Sequence, residues 1–205
     1  MIVRPPLGGH AKLKRLHVPT GTAWYRIVHR RYGSALHFGK GLDARWNDPE
    51  GRYGVLYAAD SVEAAFAETF GHDVPQQYSP LADKFLDTLE LEERVLYRIE
   101  TQRDFKLGLL QGAGLAALNL DVALFATRGY EVPQCWSRWV YQAPDELDGL
   151  RYPSRLLPDC ENTALFDRCC PGVREQLLGS LLHWRSPGGR RDIFDIVDEQ
   201  GWGLL

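Results

Sequence analysis

The 205-residue sequence is poor in cysteine, with four, and in methionine, with one. Cys135, Cys160, Cys169 and Cys170 form no C-x-x-C pair and have no histidine at zinc-ligand spacing, which argues against a metal knuckle or a redox couple. No apolar run approaches the ~20 residues that a membrane span requires. The segment Met1 to Gly21 lacks the apolar core of a secretory signal, so the expected setting is the cytoplasm, where thiols stay reduced. Neither sign of charge dominates: 24 Lys and Arg stand against 27 Asp and Glu. The net charge of −3 argues against direct, sequence-independent binding to nucleic acid. Also missing are G-x-x-x-x-G-K-[ST], H-E-x-x-H and G-x-S-x-G, and the six histidines are scattered.

What remains is ordinary globular composition, 44% hydrophobic and 25% charged, without repeats or a Ser/Gly-rich linker. The basic charge is uneven. Arg4, Lys12, Lys14 and Arg15 give the first twenty residues +4 with no acid. This predicts a solvated N-terminal arm over residues 1–21 ahead of one domain over residues 22–205.

Strands are expected over Thr22 to His29, Val55 to Ala59, Arg94 to Glu100 and Leu150 to Ser154, from their aromatic, β-branched and alternating patterns. In the third of these, Val95, Tyr97 and Ile99 share one face of a half-buried strand. Asn47 to Gly54, with Pro49, Gly51 and Gly54, reads as a loop. Asp60 opens a helix as its cap, with Glu63 returning the bond, and the helix ends near Phe70 and Gly71. Pro133 to Tyr141, Pro171 to Trp184 and Asp192 to Glu199 read as amphipathic helices. Strands and helices interleave without a regular βαβ rhythm, so the class is α+β.

Two segments could carry chemistry. Gly112-Ala113-Gly114-Leu115-Ala116-Ala117 matches a dinucleotide fingerprint in form, which leaves an oxidoreductase as one alternative, but Asn119, Asp121, Gly129 and Pro133 interrupt the long helix it needs. The stronger cluster spans residues 26–68. Arg45 precedes the loop, Tyr57 sits on a short strand and Glu68 on the capped helix. Arginine grips phosphate oxygens with a planar fork, and tyrosine offers a ring face with a hydroxyl at its edge. On a helical wheel Val62, Ala65, Phe66 and Thr69 face the core, while Glu68 falls beside Ser61 and Ala64, whose small side chains leave room for a ligand.

Tyr25-Arg26-Ile27, Ala44-Arg45-Trp46-Asn47, Gly51, Val55 to Ala59, Ser61, Ala64 and Glu68 resemble the N-terminal half of the RES domain. Trp139, Asp148 to Arg155, Asn162 and Leu165-Phe166 resemble its C-terminal half, in the same order, so the likeness runs from Thr22 to Phe166. Asp43-Ala44 departs from the glycine the family commonly carries before this arginine. The resemblance implies a single domain built on a mixed, largely antiparallel sheet flanked by helices, as in ADP-ribosyltransferase toxins. It implies a bacterial toxin that binds NAD+ as substrate and cleaves its nicotinamide–ribose bond without a metal, passing ADP-ribose to water or phosphate. Transfer to a host protein is the alternative activity, and a non-catalytic protein-binding module is a further one. Carried over by position, Arg45, Glu68 and Ser154 are the implied catalytic residues, and Arg26, Arg45, Tyr57, Glu68 and Ser154 the implied NAD+ contacts. The implied partner is a helix-turn-helix (Xre-type) antitoxin covering the active site, around a homodimer of the toxin.

Overall fold

The computed structural model describes residues 4–72, 74, 81–126 and 129–205. An eight-stranded sheet forms its frame, from β1 (Arg15–Val18), β2 (Ala23–His29), β3 (Val55–Ala59), β5 (Arg94–Thr101), β6 (Phe105–Leu109), β7 (Gly149–Pro153), β8 (Glu161–Phe166) and β9 (Val173–Ser180). The spatial order is β1-β6-β7-β8-β3-β2-β5-β9. Every neighbouring pair is antiparallel except β6 and β7. Two short strands, β4 (Lys84–Leu86) and β10 (Trp202–Leu204), pair in parallel beside it. This is the α+β class anticipated from the pattern, with the mixed, largely antiparallel sheet that the resemblance implied.

Alternation along β3 divides the core. Val55 and Tyr57 pack with helices α3 (Ala113–Ala117), α4 (Ala123–Ala126) and α5 (Glu131–Tyr141), through Leu115, Phe125, Trp136 and Trp139. Ala59, on the same face, packs with α1 (Val62–Phe70), α2 (Thr88–Glu92) and α6 (Ile193–Glu199), through Phe66, Leu91 and Ile196. Leu56 and Ala58 point to the other face, into a third cluster with Trp24, Phe105 and Cys169. One face therefore carries two helical layers side by side, and their meeting line crosses the middle of the sheet.

Along that line β2 and β3 part. They share one register pair, Tyr25 with Ala59, whereas β2 pairs with β5 over seven residues and β3 with β8 over five. The backbone of β3 below the fork finds another partner: Val55 donates to the Gly39 carbonyl at 2.9 Å and Gly39 donates back at 3.0 Å. Gly54 permits this approach, because a Cβ there would lie 2.6 Å from the Phe38 carbonyl oxygen.

Several expectations change. Residues 173–180, within the helix expected from Pro171 to Trp184, form edge strand β9, pairing with β5 from Thr101↔Val173 to Val95↔Ser180. Its leucines suit a helical wheel, but the free edge of β5 offers a ladder of backbone partners that local spacing does not reveal. The cap of α1 is Ser61, whose Oγ accepts from Ala64 N at 3.1 Å; Asp60 instead accepts from Glu161 N. The arm is not solvated throughout, since Leu13 is buried and β1 is the end strand of the sheet, registered against β6. Strand β5 is covered on both faces, with Leu96 as buried as Ile99, because helices lie over one side and the third cluster over the other.

Candidate active site

A cavity of about 280 Å³ opens at the fork, where the two helical layers meet. Arg26, Arg45, Tyr57, Glu68, Tyr130, Tyr152, Arg155 and Asn162 are among the residues lining it. Arg45 and Glu68, proposed from the sequence to share a site, thus stand on one cavity.

The wall that carries Arg45 is a loop without regular structure, fixed by polar bonds. Asp48 is fully buried and accepts from Arg52 N (2.7 Å), Glu50 N (3.2 Å) and Arg138 Nε (2.7 Å). Burial opposes its ionisation, yet Arg138 and the backbone N–H groups hold its carboxyl below the usual carboxylate range. Asn47 Nδ2 donates to the Gly41 carbonyl at 2.6 Å. Helix α5 supplies the rest. Gln134 Nε2 donates to the Leu42 and Ala44 carbonyls (2.9 and 3.0 Å), and Ser137 Oγ to the Trp46 carbonyl (2.5 Å). Gln134, Ser137 and Arg138, three and four residues apart, share one face of α5, while Trp136, Trp139 and Val140 enter the core.

Arg45 Nη1 donates to the Leu124 carbonyl at 3.1 Å, and the guanidinium sits 5.0 Å from the Tyr130 ring centre. Burial lowers its pKa; Tyr130 acts against that, Arg155 adds to it, and Glu68 supports the charge.

The opposite wall is built from regular elements. Glu68 projects from the last turn of α1, and its Oε1 accepts from Ser154 Oγ at 2.7 Å and from Asn162 Nδ2 at 2.8 Å. Among the described residues Oε2 has no hydrogen-bond partner. The small residues of α1 and β3 on this face that line the cavity are Ala59 and Ala65, not the Ser61 and Ala64 expected from the wheel; Ser61 is spent as the helix cap.

Two roles shift. Ser154 is buried, donates its one hydroxyl proton to Glu68 and accepts from Leu156 N (3.2 Å) and Leu157 N (3.1 Å). Its donor and both lone pairs are thus engaged, and its hydroxyl holds the Glu68 carboxylate. Tyr57 gives its hydroxyl proton to Asn47 Oδ1 at 2.9 Å and accepts from Trp46 N at 2.8 Å, so its hydroxyl ties down the Arg45 loop and only its ring meets the cavity. Burial pushes its pKa far up, which keeps the proton in place. Arg26 enters through the fork and donates Nη1 to the carbonyls of Ala35 (3.0 Å) and His37 (3.2 Å); burial brings its pKa down to about 10.

Sequence reasoning missed Tyr130, Tyr152, Arg155 and His72 as cavity residues. Period-two spacing places Tyr152 on the same strand face as Ser154, which was a usable signal. Tyr130 and His72 arrive from loops, where no periodicity speaks for them. Among the described residues no three His, Cys, Asp or Glu side chains cluster as a metal site would require.

Comparison with known proteins bears on this geometry. A family model described as the RES domain matches residues 23–186. A protein of Sinorhizobium fredii (strain NBRC 101917 / NGR234) named probable toxin y4kH is 30% identical over 110 residues, covering 54% of this chain and 82% of that protein. The crystal structure of the M. tuberculosis MbcT–MbcA toxin–antitoxin complex contains a chain of similar fold, with a TM-score of 0.57 at 16% identity. The match covers 82% of this chain and 88% of that one.

Proposed function

The chain belongs to the RES domain family, and from that premise we propose that it is the toxin of a toxin–antitoxin pair, an enzyme that binds NAD+ and breaks the bond between nicotinamide and ribose. One observation carries the reading: Glu68 lines the same cavity as Arg45, with Ser154 and Asn162 holding its Oε1 and no partner for Oε2 among the described residues.

The chemistry asks little of a catalyst beyond placement and charge. The ring nitrogen of bound nicotinamide is cationic; when the N–C1′ bond breaks, its electron pair returns to that nitrogen and the base leaves neutral. Positive charge then resides on the ribose as an oxocarbenium ion. A carboxylate fixed beside C1′ and O4′ stabilises that charge as it develops, without reorganising. Glu68 is suited to this because two neutral donors orient it without neutralising it. The Arg45 fork suits the diphosphate, and the rings of Tyr57 and Tyr152 offer apolar faces to the bases. The acceptor oxygen, of water, phosphate or a protein side chain, bonds to C1′ and releases its proton.

The cavity is small for a ligand pocket, so on this reading it takes only part of the dinucleotide. The remainder lies at its mouth, where a bound antitoxin would block entry. The antitoxin is a separate chain of helix-turn-helix type on this reading. Among the described residues no helix is long and apolar enough to cross a membrane.

The test is to incubate purified protein with NAD+ and measure free nicotinamide, with products identified by mass spectrometry in the presence and absence of phosphate and host lysate. Nicotinamide release that disappears in Glu68→Gln is the expected result. No release under any of these conditions would leave a non-catalytic binding module.

A further inference from the structure

Arg45 needs a companion if a diphosphate with two negative charges is to be held, and the sequence resemblance offers Arg26. The geometry does not favour Arg26. Its side chain leaves the face of the sheet that carries Trp24 and Val28, and its guanidinium is fastened to two backbone carbonyls. That arrangement secures the chain around Ala35 and His37. Arg155 stands differently. It follows Ser154 directly, is partly exposed, and lines the same cavity as Arg45.

We propose that Arg155 is the second phosphate-binding guanidinium, closing with Arg45 a two-armed clamp on the diphosphate of the dinucleotide; this rests on the NAD+ reading above. A continuous chain of contacts connects the two arms. The Arg45 guanidinium lies over the Tyr130 ring, the Tyr130 hydroxyl meets His72 Nε2 at 3.2 Å, and Arg155 Nη2 donates to the His72 carbonyl at 2.9 Å. Of the five N–H groups of Arg155, that is the one engaged among the described residues, and no carboxylate there forms an ion pair with it. Two guanidiniums facing one cavity repel each other, as the downward pull of Arg155 on the Arg45 pKa reflects. A dianion between them replaces that repulsion with two charge-assisted, forked contacts. Because Arg155 adjoins Ser154, one short segment both orients Glu68 and reaches the diphosphate, which fixes the distance between the reacting bond and the phosphates.

The experiment compares wild type, Arg155→Gln, Arg155→Lys and Arg26→Gln by thermal melting, by KM and kcat for NAD+, and by calorimetric affinity for ADP, which carries the diphosphate without nicotinamide. Arg155→Gln is expected to melt like wild type while KM for NAD+ and Kd for ADP rise about ten- to hundredfold, with a smaller change in kcat. Arg155→Lys restores part of the affinity, since it keeps the charge and loses the fork. Arg26→Gln is expected to lower the melting temperature. Unchanged ADP affinity in Arg155→Gln overturns the clamp, as does a wild-type protein that binds no ADP. A loss of ADP affinity confined to Arg26→Gln at the wild-type melting temperature also overturns it. A wild type that binds ADP through Arg155 but releases no nicotinamide from NAD+ sustains the clamp and removes the reaction.

Discussion

The two walls of the cavity are made by opposite means. On the Glu68 side, a capped helix presents the carboxylate and two neighbouring strands bring two side chains, Ser154 and Asn162, to one of its oxygens, and regular backbone hydrogen bonding fixes their positions. On the Arg45 side there is no regular element. A loop is pinned by a buried aspartate, an asparagine, a tyrosine hydroxyl and three residues from one face of α5, more than eighty positions further along the chain. The first wall is rigid because its elements are rigid, so its side chains can be changed one at a time. The second is held by its polar bonds alone, although Trp46 Nε1 and Arg138 Nη2 find no partner among the described residues. Removing one of them exposes the rest, since a buried partner left unmatched costs more than the bond itself contributed.

The contrast can be broken by substitution. Glu68→Gln should have the largest effect, a fall of about 10²–10³ in nicotinamide release at unchanged melting temperature. The Gln carbonyl oxygen can still accept from Ser154 and Asn162, so geometry is retained and only charge is lost; a variant that also unfolds would show that the Glu68 wall is not independently rigid. Arg138→Ala, which touches no ligand, should destabilise the protein by about 3 kcal/mol, a drop of roughly 6–12 °C in melting temperature, by leaving Asp48 charged and buried. A change near zero would refute the account of the stapled loop. Ser154→Ala should lower kcat about tenfold with little change in KM, because it misdirects Glu68 without removing a substrate contact. A rise in KM at constant kcat would return Ser154 to the substrate.

The smallest effect sharpens the loop side. The Asp48 carboxyl titrates lower in the folded protein than in the unfolded chain, so the folded state carries fewer protons there. Its contribution is complete above the unfolded pKa, near 4, and is lost as pH falls through the lower folded value. Chemical denaturation between about pH 5 and pH 2 should therefore show a shallower acid decline for Asp48→Asn than for wild type. Parallel declines would mean that Asp48 is not held as described.

The same contrast explains what could be read from residues alone. The Glu68 wall follows local rules: alternation in Val55 to Ala59, a capped helix after it, and a strand ending at Ser154, so the elements that carry carboxylate and serine were readable in advance, while the resemblance to a known family singled out the two side chains. The carrier of Arg45 was legible only as a loop, and its resemblance to a known motif, not any periodicity, singled out the arginine. Nothing in Gln134, Ser137 or Arg138 announces a loop 88–92 residues earlier as their partner. Strand β9 failed for a related reason: Leu177, Leu178, Leu181 and Leu182 satisfy a helical spacing, and only the open flank of β5 decides for a strand.

The parting of β2 from β3 makes a socket without hollowing out a core. Each strand keeps its outer neighbour, so the pairing energy of the flanking ladders holds the two sides open whether or not anything occupies the gap. A guest entering there spends little of its binding energy on rearranging its host, which leaves more to be expressed on the bond it brings. Under the proposed function, readiness of this kind has a cost for the cell that makes it, which a partner seated over the opening would offset.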